Sequence, residues 1–283
     1  IAADMKMHVN VSLRINPDVN PNTHPYISTG LKESKFGITS ELALGLYASI
    51  KDHPWVRPVG VDCHIGSQIT ETQPYIDAAR HVFAFVEKLE QMGITLKHID
   101  LGGGFGITYD SEAPPEFSQY AEVIKPFFES KSYQLVLEPG RSIVANAGAL
   151  VTKVEYIKNI EVNEFVLVDA AMNDLIRPAL YQAWHTVLPV TLKANRAEKI
   201  YDIVGPVCES GDFFAKKRQM KELQPGELLG VMSAGAYAMT MASNYNTRQR
   251  PCELMVDGDN VHLIRRRDAI DELWQNEILL PAD

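Results

Sequence analysis

Four short runs in this chain set charged, nucleophilic or aromatic side chains beside glycine, the residue that lets backbone approach a ligand closely. In Asp100-Leu101-Gly102-Gly103-Gly104-Phe105-Gly106 the glycines free backbone N–H groups to close around a phosphate, and a tight turn is the plainer use of the same run. The spacing is not that of the dinucleotide fingerprint, and no acidic residue ends a second strand about 20 residues on. Leu135-Val136-Leu137-Glu138-Pro139-Gly140-Arg141 offers a carboxylate that could keep a heterocyclic nitrogen protonated and a guanidinium fork that could bind phosphate or carboxylate. An ordinary ion pair would use the same two residues. Val61-Asp62-Cys63-His64-Ile65-Gly66-Ser67-Gln68 sets an imidazole, able to cover a flat ring, close to a Gly-Ser pair; a structural histidine is the alternative. Gly205-Pro206-Val207-Cys208-Glu209-Ser210-Gly211-Asp212 joins a thiol, a candidate proton donor, to a carboxylate able to hold a cation; the alternative is a buried inert thiol.

The elements that must carry these runs follow from hydrophobic period. His8–Ile15 alternates as a strand, and Ser40 caps a helix to about Lys51 with Leu42, Leu46 and Ile50 on one side. Arg57–Ile65, Leu96–Leu101 and Tyr133–Glu138 read as further strands. Between them, Pro74–Met92 is amphipathic through Ile76, Ala79, Phe83, Val86 and Leu89, with Gly93 as its stop, and Glu116–Ser130 is a helix kinked at Pro126. Three of the runs thus sit at the C-terminal ends of strands in four βα-type units, where α/β barrels keep their sites. Four units are about half of a barrel of roughly 250 residues. Beyond about Ile143 strands follow one another without long helices: Ala149–Ile157, Phe165–Asp169, Ile200–Val204, Leu228–Met232, Cys252–Val256 and Val261–Arg265, the last two joined by an Asp257-Gly258-Asp259-Asn260 turn. The expected fold is α/β plus all-β: the C-terminal half of a (β/α)8 TIM barrel over residues 1–143, then an antiparallel β-domain over residues 144–283.

A formal net charge of −9 disfavours nucleic acid and anionic membranes as partners, and no apolar run approaches the length of a membrane span. Cys63, Cys208 and Cys252 are widely spaced with no CxxC pair, as expected of free thiols in a reducing cytoplasm. The start at Ile1 has neither an initiator Met nor signal-peptide anatomy, and half a barrel would have open edges, so a chain cut from a longer one is expected.

Taken together, His64-x-Gly66-Ser67, Gly102-Gly103-Gly104-Phe105, Glu138-Pro139-Gly140-Arg141, Cys208-Glu209-Ser210-Gly211-Asp212 and Gly235-Ala236-Tyr237 resemble the alanine-racemase-fold decarboxylases, which use pyridoxal phosphate and act on ornithine, arginine or diaminopimelate. Arg14-Ile15-Asn16-Pro17, Thr23-His24-Pro25-Tyr26-Ile27-Ser28-Thr29-Gly30, Ser34-Lys35-Phe36-Gly37, Asp169-Ala170-Ala171-Met172-Asn173-Asp174 and Arg177-Pro178-Ala179-Leu180-Tyr181 resemble the diaminopimelate branch in particular. The resemblance spans the whole chain.

It implies that Glu138 pairs with the pyridine nitrogen and His64 stacks on the ring. It places Ser67, Gly103, Gly104, Pro139, Gly140, Arg141 and Tyr237 around the cofactor, with Arg141 and Tyr237 also reaching substrate. Cys208 would return a proton to carbon, Glu209 would hold the distal ammonium, and Arg177 and Tyr181 would grip the distal carboxylate. Cys208 and Glu209 would enter a neighbouring subunit's site, so a homodimer is implied, with no metal. The family's cofactor lysine lies in an N-terminal strand motif like Tyr-Ala-x-Lys-Ala-Asn. Lys193-Ala194-Asn195 imitates that motif by coincidence, so these residues alone are expected to be inactive. A decarboxylase for arginine, ornithine or carboxynorspermidine and a non-catalytic homologue are the competing expectations; the Arg177 and Tyr181 pair argues against diamine-type substrates.

Overall fold

The computed structural model describes residues 1–21, 23–24, 27, 29–30, 35–161 and 163–281. Pro25, Tyr26, Ser28 and Ser34 of the resemblance stretches lie outside them. The chain divides into two compact units, Ile1–Ile143 and Val144–Asp283.

After a one-turn helix α1 (Ala2–Met5), the first unit runs β1 (Val9–Arg14), α2 (Ser40–Ile50), β2 (Val56–Asp62), α3 (Gln73–Gln91), β3 (His98–Asp100), α4 (Phe117–Phe128), β4 (Gln134–Val136) and α5 (Arg141–Val144). The sheet order is β1-β2-β3-β4 and every pair is parallel. α3 buries Ala79, Val82, Val86 and Leu89 and stops at Gly93, whose φ of +75° suits a residue without Cβ. α4 opens with a capping box between Glu116 and Gln119 and holds Pro126 inside its last turn.

α2 departs from the expectation in two ways. Its cap is Thr39, whose side chain accepts from Leu42 N–H, while Ser40 Oγ pairs with His81. Its buried face is Ala43 and Tyr47, leaving Leu42 at 55% exposure. Tyr47 decides the rotation. Its hydroxyl donates to Gly60 O at 2.6 Å and accepts from Leu13 N–H at 3.1 Å, just past the register slip between Val11 and Ser12 opposite Pro58. Satisfying strand backbone at a buried position outweighs burying two leucines there. β3 and β4 are also three-residue strands, shorter than their apolar runs.

The second unit contains β5 (Leu150–Ile160), β6 (Asn163–Val168), α6 (Arg177–Tyr181), β7 (Val187–Pro189), β8 (Glu198–Val204), β9 (Phe213–Lys221), β10 (Leu228–Val231), β11 (Glu253–Asp257) and β12 (Asn260–Arg265). Six strands form one sheet in the order β7-β10-β5-β6-β8-β9, and β11 and β12 form a hairpin. The sheet is mixed where an antiparallel one was expected. β6 and β8 are parallel, because the chain between them crosses over through α6 and β7 before returning. The core of this unit includes Val154, Val166, Tyr201, Ile203, Phe214 and Leu229.

Candidate functional site

In the first unit the strand ends are tied together by glycine. Gly102 N–H donates to Asp100 Oδ1 at 2.7 Å, and Gly103 N–H donates to His64 Nδ1 at 3.1 Å. Glu138 N–H donates to Gly102 O at 2.8 Å. A Cβ on Gly103 would lie 2.0 Å from Glu138 O, and one on Gly104 would lie 2.3 Å from Gly66 O. The glycine run is therefore wedged between the His64 loop and the Glu138 loop, and no other residue type fits there. His64, Gly103 and Glu138, which the sequence placed at three separate strand ends, meet in one place.

Arg141 is 5% exposed at the start of α5. It donates to Tyr109 Oη at 2.6 Å and to Ser67 Oγ at 3.0 Å. Gln68 clamps the same region. Its side chain accepts from Ile107 N–H at 3.1 Å and donates to Ile107 O at 2.6 Å, which fixes Ser67 against the stretch that carries Tyr109. Pro139 and Gly140 form the turn from Glu138 into α5.

Charge is concentrated at these strand ends. Burial, then the Asp100 and Asp62 carboxylates, raise the Glu138 carboxyl above its ordinary range, and Arg14 opposes them. Burial and the nearby Arg14 cation push the His64 imidazole down to about 4, so it is neutral at neutral pH. Arg14 also donates to His64 O at 3.2 Å. Arg14 and Tyr109 join this region although neither is among the site residues expected from the sequence. Arg14 carried a signal, a basic residue ending an apolar strand.

The second unit holds the remaining candidates. Cys208 is exposed, and Glu209 accepts a 2.6 Å hydrogen bond from Tyr245 Oη. Their loop is shaped by Asp212, whose carboxylate accepts from Val207 N–H and from Met172 N–H, both at 2.7 Å. A Cβ on Gly205 would strike that carboxylate at 2.3 Å. Arg177, 5% exposed at the start of α6, pairs with His185 Nε2 at 2.7 Å. Tyr181 is half-buried at the end of the same helix. Tyr237 is exposed with a φ of +58°, a left-handed conformation a bulky residue adopts only when its surroundings impose it. Lys193-Ala194-Asn195 lies between β7 and β8.

The donor set of the first unit suits pyridoxal phosphate. Beside the glycine run, the Ser67 hydroxyl and the Arg141 guanidinium fit a phosphate; Glu138 fits a protonated ring nitrogen; a neutral imidazole fits a flat ring.

Comparison with known proteins gives the same answer. The family described as "Pyridoxal-dependent decarboxylase, pyridoxal binding domain" matches residues 1–145. The chain is 51% identical to a diaminopimelate decarboxylase of Pseudomonas aeruginosa over 281 residues, covering 99% of this chain and 67% of that protein. It is 49% identical to that of Vibrio cholerae over 282 residues, with the same coverage. Among solved structures, diaminopimelate decarboxylase from Helicobacter pylori complexed with L-lysine superposes with a TM-score of 0.93 at 40% identity, over 97% of this chain and 68% of that one. The chain thus spans about two thirds of the length of its relatives. The strand-end constellation, the family match and these identities agree: the chain belongs to the pyridoxal-dependent decarboxylases, in the family that contains the diaminopimelate decarboxylases.

Proposed function

We propose that this chain belongs to an enzyme that removes carbon dioxide from meso-2,6-diaminopimelate and releases L-lysine, using pyridoxal phosphate. The observation that carries this reading is the joining of His64, Gly103 and Glu138 at adjacent strand ends, beside Ser67 held by Arg141. We read the parallel unit as the C-terminal half of an α/β barrel.

When bound, pyridoxal phosphate supplies an electron sink for the pair left behind as carbon dioxide departs. The protein's own residues do the rest. Glu138 holds the proton on the ring nitrogen, and neutral His64 covers the ring face without competing for that charge. Ser67, Gly103, Gly104, Pro139, Gly140 and Arg141 would enclose the phosphate, and Arg141 would also face the substrate. Cys208 Sγ delivers a proton to the carbon that lost its carboxylate, and Glu209 pairs with the distal ammonium. Arg177 and Tyr181 take the distal carboxylate, the group that ornithine and lysine lack at that position. A site built to pair that carboxylate rejects substrates without it, because its polar groups would be left unmatched.

The exposure of Cys208 and Glu209 supports delivery of both residues to a neighbouring subunit, hence a homodimer. Among the described residues no helix is long and apolar enough to cross a membrane, and we place the enzyme in the cytoplasm with no nucleic-acid partner. The test is direct. The protein, expressed at the full length of its relatives and loaded with cofactor, should release carbon dioxide and lysine in equal amounts from meso-diaminopimelate, and none from ornithine. Turnover of ornithine or arginine in preference would reject the substrate assignment.

A further inference from the structure

His185 is fully buried in the loop between α6 and β7, and it holds three segments of the second unit together. Its Nδ1 lies 2.8 Å from Met232 O, and its Nε2 lies 2.7 Å from Arg177 Nη1. Its backbone carbonyl accepts from Arg218 of β9 at 3.2 Å. A carbonyl oxygen only accepts, so Nδ1 carries the proton. A guanidinium only donates, so Nε2 must present its lone pair. The two neighbours together demand the neutral Nδ1–H tautomer; a second proton on the ring would face the Arg177 donors head-on.

The bond to Arg177 has a geometric consequence. A guanidinium is a rigid planar fork, and fixing one of its nitrogens limits the directions in which the others can point. Met232 is itself fixed, since its N–H donates to Thr186 O at 2.8 Å. Five residues further on, the same segment reaches Tyr237 in its left-handed conformation. His185 therefore joins the helix that carries Arg177 and Tyr181 to the strand end that leads into Tyr237.

We propose that His185 is the positioning residue for substrate recognition: it orients the Arg177 fork toward the distal carboxylate and keeps it in register with the Tyr237 segment. This rests on the reading of Arg177 as the carboxylate-binding residue. His185 touches no substrate and moves no proton in the reaction. Its loss should weaken substrate binding and leave the chemical step nearly intact.

The experiment compares His185→Leu, His185→Asn, His185→Gln and Arg177→Gln in the cofactor-loaded enzyme, measuring kcat and KM for meso-diaminopimelate. A glutamine amide can donate to Met232 O and accept from Arg177; the shorter asparagine cannot span both, and leucine can do neither. KM should rise about tenfold or more in His185→Leu and His185→Asn, the scale of losing a hydrogen bond to a charged group. It should return toward the parent value in His185→Gln, with kcat changed by less than about threefold throughout, since interactions equal in ground and transition states move KM alone. If His185→Leu does not fold, His185→Asn carries the comparison. An unchanged KM in His185→Asn beside a raised KM in Arg177→Gln overturns the positioning role, as does a fall in kcat without a rise in KM, or a glutamine variant no better than asparagine. An unchanged KM in Arg177→Gln instead overturns the assignment of Arg177 itself.

Discussion

The amide of Gly103 donates to Nδ1 of His64 across 3.1 Å, and that bond leaves the ring proton on Nε2. Burial and the Arg14 cation hold the imidazole neutral while this bond orients it, and the neutral state has a measurable pH signature. The His64 pKa falls from 6.5 to about 4, so between those values the unfolded chain binds a proton that the folded chain refuses. Stability contributed by this group rises with pH across that window and is lost as pH falls through it. Glu138, with its raised pKa, acts in the opposite sense, so the informative quantity is a difference between two proteins. The gap in Tm between the parent protein and His64→Gln should narrow steadily from pH 6.5 to pH 4. A constant gap would mean that His64 titrates normally in the fold.

Gly103→Ala should damage both fold and cofactor binding, because the new methyl meets backbone at Glu138 O, which cannot rotate away. Forced overpacking of this kind costs about 1–3 kcal/mol, read as a lower Tm. Cofactor titration by absorbance should show weakened binding. Gly45→Ala is the matched control, since nothing lies within 4 Å of its missing Cβ inside α2. There alanine should stabilise by about 0.5–1 kcal/mol.

Arg177→Ala should reduce diaminopimelate turnover by about 2–5 kcal/mol in kcat/KM, the cost of removing one partner of a buried charged pair. Cofactor affinity should not change, since Arg177 is not among the residues assigned to the cofactor. Steady-state kinetics beside a cofactor titration separate the two effects.

Asp212→Ala should release the loop that carries Cys208 and Glu209. Two backbone donors, on Val207 and Met172, lose their acceptor at roughly 1–3 kcal/mol each. Limited proteolysis should then cut between residues 205 and 212, and Tm should fall. Resistance equal to the parent protein would show that the loop is held by other contacts.

How much of this was legible in the sequence depends on which interactions are local. The βα alternation of the first unit was readable because α3 and the strands around it bury long stretches with a clean period. The meeting of the glycine run with His64 and Glu138 was readable because these residues directly follow apolar runs. The rotation of α2 was not, since it depends on a hydroxyl meeting a strand slip 34 residues away in sequence. β9 escaped because Lys216-Lys217-Arg218 interrupts its alternation and Lys217 turns to a φ of +53°. The Arg177–His185 pair escaped for a related reason: it closes across a loop that has no period.

The two units also differ in how far the chain must travel to begin their sheets. In the second unit β5 turns straight into β6, with Ile160 facing Asn163, and β11 turns into β12 at Asp257 and Asn260. In the first, even the nearest partners are far apart along the chain, such as His98 with Gln134 or Val9 with Val56. Ordering that sheet requires closing large loops before any ladder bond forms, whereas the two hairpins of the second unit close locally. In refolding, backbone protection should therefore appear in the β5–β6 and β11–β12 hairpins before it appears in β1 through β4. During synthesis the earlier-made half of the chain would wait, unpaired and sticky, for helices α2 through α4 to bring its strands together.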